Sequence, residues 1–153
     1  MARKVKAIPK GYRSVTPYLC VKGAAEAIRF YKKAFGAREV MRMPAPGGTI
    51  GHAELMLGDS KIMLADEFPQ MGFQSPGAYG GSAVTIHLYV ENVDKVFRRA
   101  LQAGATERQP VKDQFYGDRS GQLEDPYGHR WILATRVEDL SPQEMKRRGR
   151  EVM

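Results

Sequence analysis

The chain has 153 residues, of which 42% are hydrophobic and 27% are charged, as is typical of one soluble globular domain. No apolar run approaches the roughly 20 residues of a transmembrane helix, which excludes a membrane-spanning protein. Cys20 is the only cysteine, which excludes an intrachain disulfide and a thiolate zinc cluster. The net charge of +7 raises the question of nucleic-acid binding, but much of the excess lies at the two ends of the chain, as in solvated tails.

The first third of the chain predicts a strand, a helix and three further strands. The alternating run VTPYLCV at 15–21 favours a strand, and apolar residues at helical spacing follow it up to Gly36. A glycine there suits the left-handed residue that closes a helix. Extended segments are predicted at 38–43, 50–57 and 61–65, the last two around the turn Gly58-Asp59.

The same pattern occurs a second time, and this internal repeat is the strongest signal in the sequence. VTIHLYVENVDKVFRRALQAGA at 84–105 matches VTPYLCVKGAAEAIRFYKKAFGA at 15–37. Extended segments follow at 106–111, 120–124 and 130–135, and Ser141 and Pro142 favour the start of a short basic helix whose end Gly149 leaves undefined.

These patterns predict a single α+β domain made of two tandem βαβββ modules with a cupped mixed β-sheet and a short C-terminal helix. The first module spans about 12–66, a Gly, Pro and Ser-rich linker spans 67–83, the second module spans about 84–139, and a basic tail spans 140–153. The linker could also cover the mouth of a site. The basic first residues are followed by no signal-like apolar stretch, so a cytoplasmic location is expected.

Alternation along the strands assigns side chains to the two faces of the sheet. The helix-facing positions are apolar: Val15, Pro17, Leu19, Val21, Leu55, Leu57, Ile62, Leu64, Val84, Ile86, Leu88, Val90, Trp131 and Leu133. The opposite face has a more polar set: Thr16, Tyr18, Cys20, His52, Glu54, Met56, Met63, Thr85, His87, Tyr89, Arg130 and Ile132. A polar inner face suits a small-molecule pocket better than a dry core.

From about Tyr12 to Asp139 the chain resembles the vicinal oxygen chelate superfamily, which includes glyoxalase I, bleomycin and fosfomycin resistance proteins and extradiol dioxygenases. The resemblance is carried by AIRFYKKAFGA, GHAELMLGDSKIMLADE, HLYVENVD and GDRSGQLEDPYGHRWILAT, and it is nearest to the PhnB-like branch. It implies a ligand cavity and a homodimer. It also implies that metal ligands would occupy Thr16, Met63, Thr85 and Ile132, a set that lacks good donors for a divalent ion.

His52, Glu54 and His87 are therefore the candidates for chemistry. They could form a displaced metal site, act as a general acid–base group, or only support the cavity wall through hydrogen bonds. Cys20 is interpreted as a small buried thiol rather than a nucleophile, and Asp118-Arg119 as an internal ion pair.

Five residues are candidates for ligand binding: Thr16, Tyr18, Thr85, Tyr89 and Arg130. Tyr18, Tyr89 and Arg130 could hold an aromatic or anionic ligand, or simply line the pocket. The predicted function is binding of a small organic ligand without the usual metal. The alternative is a metal-dependent lyase, isomerase or dioxygenase that uses the shifted site of His52, Glu54 and His87. No membrane partner is expected, and a nucleic-acid partner is not favoured.

Overall fold

The computed structural model describes residues 4–153 and divides them into two compact units, the first ending at Ser75 and the second beginning at Pro76. The division falls inside the segment predicted as the linker. Each unit contains one four-stranded mixed sheet with a helix after its first strand. The structure therefore confirms the prediction of an α+β fold with two βαβββ modules.

The first unit contains the elements β1 (Tyr18–Val21), α1 (Ala24–Phe35), β2 (Arg38–Pro44), β3 (Ile50–Leu57) and β4 (Ser60–Asp66). The strand order is β1-β4-β3-β2, with β1 parallel to β4 and the other pairs antiparallel. α1 buries Ala27, Ile28 and Tyr31, which recur on one helical face, and Gly36, with φ 70°, caps its C-terminal end.

The second unit repeats this order with β5 (Thr85–Tyr89), α2 (Val93–Ala103), β6 (Thr106–Asp113), β7 (Asp118–Glu124) and β8 (Arg130–Arg136). Its strand order, β5-β8-β7-β6, is that of the first unit. Asn92 caps α2 by accepting a hydrogen bond from the Lys95 backbone N–H. The predicted repeat in the sequence is thus a repeat in the structure.

The terminal helix α3 (Pro142–Val152) begins as predicted, because the Ser141 hydroxyl accepts a hydrogen bond from the Glu144 backbone N–H and Pro142 occupies the first turn. It continues through Gly149 to Val152. No helix in the described part of the chain has the length and apolar character needed to cross a membrane.

The predicted helix-facing side chains of the hairpins and of β8 are buried, which confirms the alternation there: Leu55, Leu57, Ile62, Leu64, Trp131 and Leu133. The predictions for Val15 and Val84 are wrong, since these side chains are 85% and 69% exposed. The reason is that β1 begins at Tyr18 and β5 at Thr85, so both valines precede the paired strands. Cys20, assigned to the polar face, is buried.

Candidate functional site

Tyr18, His52 and Glu54 form a hydrogen-bonded chain on one face of the first sheet. β4 pairs with both β1 and β3, and residues two apart on a strand share a face, which aligns the three side chains. Tyr18 Oη lies 2.7 Å from His52 Nδ1, and His52 Nε2 lies 2.9 Å from Glu54 Oε2. An ionised Glu54 only accepts, so it places the imidazole proton on Nε2 and leaves Nδ1 to accept from the Tyr18 hydroxyl.

Tyr12 lies beside the Glu54 end of this chain, a neighbour that the sequence analysis missed. Its hydroxyl is buried and makes no well-formed hydrogen bond with any residue from 4 to 153, but it interacts with the Glu54 carboxylate. Burial, and secondarily Glu54, raises the pKa of Tyr12 to about 12. Tyr12 and His52 in turn lower the pKa of Glu54, so this carboxylate is ionised at neutral pH. The Lys61 ammonium lies 4.3 Å above the Tyr12 ring.

A cavity of about 510 Å³ lies in the first unit and has Tyr18 in its wall. Its volume falls within the range of small-molecule sites, roughly 300–1,000 Å³. Much of the remaining wall is apolar and comes from the linker: Phe68, Met71 and Phe73. The Tyr18 and Phe73 rings meet edge to face at 5.6 Å. Residues of the predicted linker therefore do line a cavity.

Two carboxylates at the end of β4, Asp66 and Glu67, also line this cavity. Asp66 Oδ1 accepts hydrogen bonds from the backbone N–H groups of Gly23 and Ala24, both at 2.9 Å, and its Oδ2 accepts one from Ile50 at 2.8 Å. Glu67 Oε2 accepts from the Ser75 backbone N–H at 3.0 Å and from its hydroxyl at 2.7 Å. The Ser75 bonds lower the pKa of Glu67.

The sequence analysis did not select these linker and carboxylate residues, because the stretch 66–75 has no periodicity that predicts where its side chains lie. The available signal was compositional: two acidic residues and two phenylalanines stand within DEFPQMGF at 66–73, directly after a buried strand. Binding residues are often found on loops that a rigid scaffold positions, so this segment could have been selected as a candidate.

Cys20 lies in the buried part of β1. Burial, and to a smaller extent the Glu67 and Asp66 carboxylates, raises the pKa of its thiol to about 11. A thiol with that pKa holds almost no thiolate at neutral pH, which supports its interpretation as an inert buried residue.

The structure locates the remaining predicted ligand residues as follows. Thr16 is half-buried and precedes β1, while Thr85 begins β5 and is paired there with Arg130 of β8. Arg130 is exposed and lies 3.7 Å from the Glu124 carboxylate. A ligand role for these three residues stays a prediction.

His87 and Tyr89 have tilted rings 4.7 Å apart. The Tyr89 hydroxyl donates to Asp118 Oδ2 at 2.8 Å, and this bond raises the pKa of Tyr89. Arg136 Nη1 lies 3.5 Å from the other oxygen of the buried Asp118 carboxylate. A ligand role for Tyr89 and a catalytic role for His87 likewise stay predictions.

The expected internal ion pair of Asp118 and Arg119 takes a different form. Arg119 pairs with Asp94 of α2 at 2.9 Å and with Asp113 at 3.3 Å, while Asp118 pairs with Arg136 and Tyr89. Adjacent residues on a strand point to opposite faces, which separates the two side chains. Arg119 thus forms two ion pairs and Asp118 one, all within the second unit.

The residues present do not fit the usual metal site of the superfamily that the sequence resembles. Its four positions hold Thr16, Met63, Thr85 and Ile132, which offer two hydroxyls, a thioether and a hydrocarbon. Within each unit, the described residues contain no group of three His, Cys, Asp or Glu side chains arranged to hold an ion.

The displaced metal site of His52, Glu54 and His87 stays a prediction. His87 lies in the second unit, whereas His52 and Glu54 lie in the first. Both ring nitrogens of His52 already have protein partners, Tyr18 and Glu54. An ion on His52 would therefore have to replace one of these two hydrogen bonds.

A family model described as the Glyoxalase/Bleomycin resistance protein/Dioxygenase superfamily matches residues 13–133. An uncharacterized protein of Mycobacterium tuberculosis is 46% identical over 136 residues, which cover 87% of this chain and 80% of that protein. A relative from Mycobacterium bovis is also 46% identical over 136 residues, which cover 87% of this chain and 90% of that protein.

Solved structures have the same fold. TioX from Micromonospora sp. ML1 superposes with a TM-score of 0.64 at 26% identity, covering 84% of this chain and 100% of that one. A PhnB protein from Bacillus cereus gives a TM-score of 0.64 at 24% identity, covering 80% of this chain and 99% of that one. The fosfomycin resistance protein FosX from Mesorhizobium loti gives a TM-score of 0.60 at 19% identity, covering 86% of this chain and 95% of that one. The last two likenesses concern the fold alone.

Proposed function

Because this chain belongs to the glyoxalase/bleomycin resistance/dioxygenase superfamily, we propose that it binds a small organic ligand in the cavity of its first unit without a metal ion. The observation that carries the proposal is the cavity of about 510 Å³, whose aromatic and apolar wall includes few polar groups. Such a wall buries the body of a ligand, while the polar groups orient it.

Tyr18 is the central binding residue of this proposal. Its side chain is 45% exposed, so its ring is available to a ligand, while the bond to His52 and the contact with Phe73 hold it in place. A side chain fixed in advance loses little conformational entropy on binding. We therefore expect Tyr18 to contribute more to affinity than a mobile surface tyrosine would.

A thermal-shift screen of small organic compounds, followed by calorimetric titration of the hits, tests the proposal. Tyr18→Ala removes part of the wall and is expected to weaken binding by about tenfold or more, in line with the 1–3 kcal/mol of a buried aromatic contact. Tyr79→Ala is the matched control, because Tyr79 is 66% exposed and does not line the cavity. Equal affinity of the two variants for every hit would refute the proposal.

The hydrogen-bonded chain favours a second candidate, proton transfer to or from the bound ligand, as in a lyase or isomerase. When a ligand C–H gives its proton to the Tyr18 oxygen, the Tyr18 proton can move to His52 Nδ1, and the ionised Glu54 stabilises the imidazolium that forms. The raised pKa of Tyr18, caused mainly by its partial burial, keeps the phenol protonated before this step.

Deuterium incorporation into a bound ligand in D₂O, followed by NMR, tests proton transfer. His52→Gln keeps a polar side chain but cannot hold the proton, so exchange should fall by at least about a hundredfold. Binding affinity should stay within about threefold, as expected for a weak neutral hydrogen bond. Unchanged exchange in His52→Gln would refute this candidate and leave ligand binding intact.

Absence of the metal is a separate claim that elemental analysis of untagged protein can test. After dialysis against zinc, nickel, manganese or iron, we expect far less than one ion per chain, because the usual positions lack donors. Retention of about one ion per chain that disappears in His52→Ala would instead support the metal-dependent alternative.

A homodimer follows from the superfamily resemblance and forms part of the proposal. Light scattering coupled to gel filtration should give about twice the chain mass of 17.1 kDa. A monomer at all concentrations would remove the dimer from the proposal without affecting the cavity. The cytoplasmic location expected from the sequence stays a prediction.

A further inference from the structure

The cavity of the first unit has a charge opposite to that of the whole chain. The chain carries a net charge of +7. Among the described residues that line the cavity, however, the acidic side chains are Asp66 and Glu67, and no Lys, Arg or His belongs to the wall. A concave surface with one sign of charge selects ligands of the other sign.

Both carboxylates accept hydrogen bonds from fixed protein donors. Asp66 accepts hydrogen bonds from three backbone N–H groups, two of them at the start of α1. Glu67 accepts two bonds from Ser75, which lower its pKa. The Lys22 ammonium also interacts with Glu67, but Lys22 is not part of the wall.

Glu67 has an oxygen available for a ligand. Among residues 4–153, its protein hydrogen bonds go to Oε2, from the backbone N–H and the hydroxyl of Ser75. Oε1 has no protein donor in that part of the chain. The Ser75 bonds fix the carboxylate in one orientation, so a ligand cation would meet a preformed acceptor.

Three aromatic rings complete the site. Tyr18 and Phe68 are each 45% exposed, and Phe73 contacts Tyr18 edge to face. The backbones of Phe68 and Phe73 are bonded to each other through both N–H groups, at 2.7 and 3.2 Å, which holds the two phenylalanines together. Aromatic faces attract a cation as well as an aromatic ring, since each face carries negative partial charge.

We infer that the cavity takes a cationic aromatic ligand, whose ring system packs against Tyr18, Phe68 and Phe73 and whose positive group binds Glu67. This inference rests on the proposed function and specifies the class of its ligand. Anionic aromatic compounds are disfavoured, because they would meet Asp66 and Glu67 without a cation in the wall.

Three acridines that share one ring system separate charge from shape. In slightly alkaline buffer 9-aminoacridine is a cation, acridine is neutral and acridine-9-carboxylate is an anion, and all three are fluorescent. Fluorescence titration should give the affinity order cation, neutral, anion. Glu67→Gln should weaken 9-aminoacridine binding by about fivefold, the effect of one partly exposed ion pair, and change acridine binding by less than about twofold.

Glu91→Gln is the matched control, since it removes the same charge from an exposed position of the second unit. It should leave all three affinities unchanged. Tighter binding of the anion, as the net charge of +7 alone would favour, refutes the inference. The inference is also refuted if Glu67→Gln and Glu91→Gln change the affinity for 9-aminoacridine equally.

The outcomes also separate this inference from the proposed function. If the three acridines bind equally and Tyr18→Ala weakens all of them, the cavity is a ligand site without preference for cations. If none of them binds, the inference fails, and the proposed function is decided by its own compound screen and the comparison of Tyr18→Ala with Tyr79→Ala.

Discussion

The chemistry of the single thiol depends on its surroundings. Burial is the main cause that raises the pKa of Cys20 to about 11, and nearby carboxylates add to it. We predict that the native protein reacts with iodoacetamide far more slowly than the unfolded protein near neutral pH, because the thiolate is the reactive form. The native rate should rise about tenfold per pH unit until the pH approaches this pKa.

The reaction can be followed by mass spectrometry of the intact chain. The unfolded protein in urea serves as the control, since its thiol should show an ordinary cysteine pKa. Equal rates for the native and unfolded protein at neutral pH would mean that Cys20 is accessible and ionised, and would reopen a role for it as a nucleophile.

Individual site residues were predictable only where strand periodicity applied. Alternation assigned Tyr18, His52 and Glu54 to one face, and their mutual hydrogen bonds confirm that assignment. It could not locate Glu67 beside Ser75, because that contact forms when an irregular segment folds back on itself. The shared face of Tyr18, His52 and Glu54 was therefore predictable from the sequence, whereas the individual wall residues contributed by 66–73 were not.

At the scale of elements, Asp66 connects the end of β4 to the start of α1. Its carboxylate accepts three backbone hydrogen bonds, two at the helix start and one from Ile50. Asp66→Ala leaves all three donors without this partner and should lower the free energy of unfolding by roughly 2–4 kcal/mol. Asp66→Asn keeps one acceptor oxygen and should lower the free energy of unfolding by less than Asp66→Ala does.

Urea denaturation monitored by circular dichroism gives these values. Asp59→Ala is the control, since Asp59 lies in the exposed turn between β3 and β4 and should change stability by less than about 0.5 kcal/mol. An Asp66→Ala protein as stable as this control would show that the three hydrogen bonds contribute nothing to the stability of α1.

The terminal helix offers a substitution that should stabilise the protein. Gly149 lies inside α3 with an ordinary helical backbone, and a Cβ there would meet the Phe115 ring at 3.5 Å, a normal contact distance. Gly149→Ala should therefore raise the free energy of unfolding by about 0.5–1 kcal/mol. A decrease would mean that Phe115 cannot accept the added methyl group.

Gly117→Ala is the contrasting variant in the same unit. Gly117 has φ 97°, and a Cβ there would lie 2.6 Å from the Glu138 carbonyl oxygen. In the same denaturation measurement, the Gly117→Ala protein should have a free energy of unfolding lower by more than about 1 kcal/mol. Similar stability for the two variants would contradict at least one of the two expectations.

Element boundaries show where a local pattern stops being informative. The strand β3 was predicted with its observed ends, because turn residues stand on both sides of an alternating run. The run at 15–21 alternates just as well, but only Tyr18–Val21 pairs with β4, in the register Tyr18 to Met63 through Val21 to Asp66. Strand length depends on the partner strand, which the local sequence does not reveal.

At the scale of the whole molecule, the repeat in the sequence was the most informative feature. Two segments of matching pattern predicted two modules, and both units have the same order of strands in their sheets. The equivalence extends to Thr135, whose hydroxyl accepts a hydrogen bond from the Val93 backbone N–H at the start of α2, as Asp66 does at the start of α1. The copies differ in the polar side chains of their sheets: Tyr18, His52 and Glu54 are hydrogen-bonded in the first unit, whereas the second unit has the ring pair of His87 and Tyr89.

The position of Trp131 gives the molecule a built-in optical reporter. Trp131 is the only tryptophan, its side chain is fully buried in the second unit, and its indole N–H donates to Asp125 Oδ2 at 2.9 Å. Its fluorescence should be blue-shifted in the native protein and should report the unfolding of that unit alone, whereas far-ultraviolet circular dichroism reports both units. Coincident melting curves would establish one cooperative domain, as the sequence predicts, and separated curves would establish two.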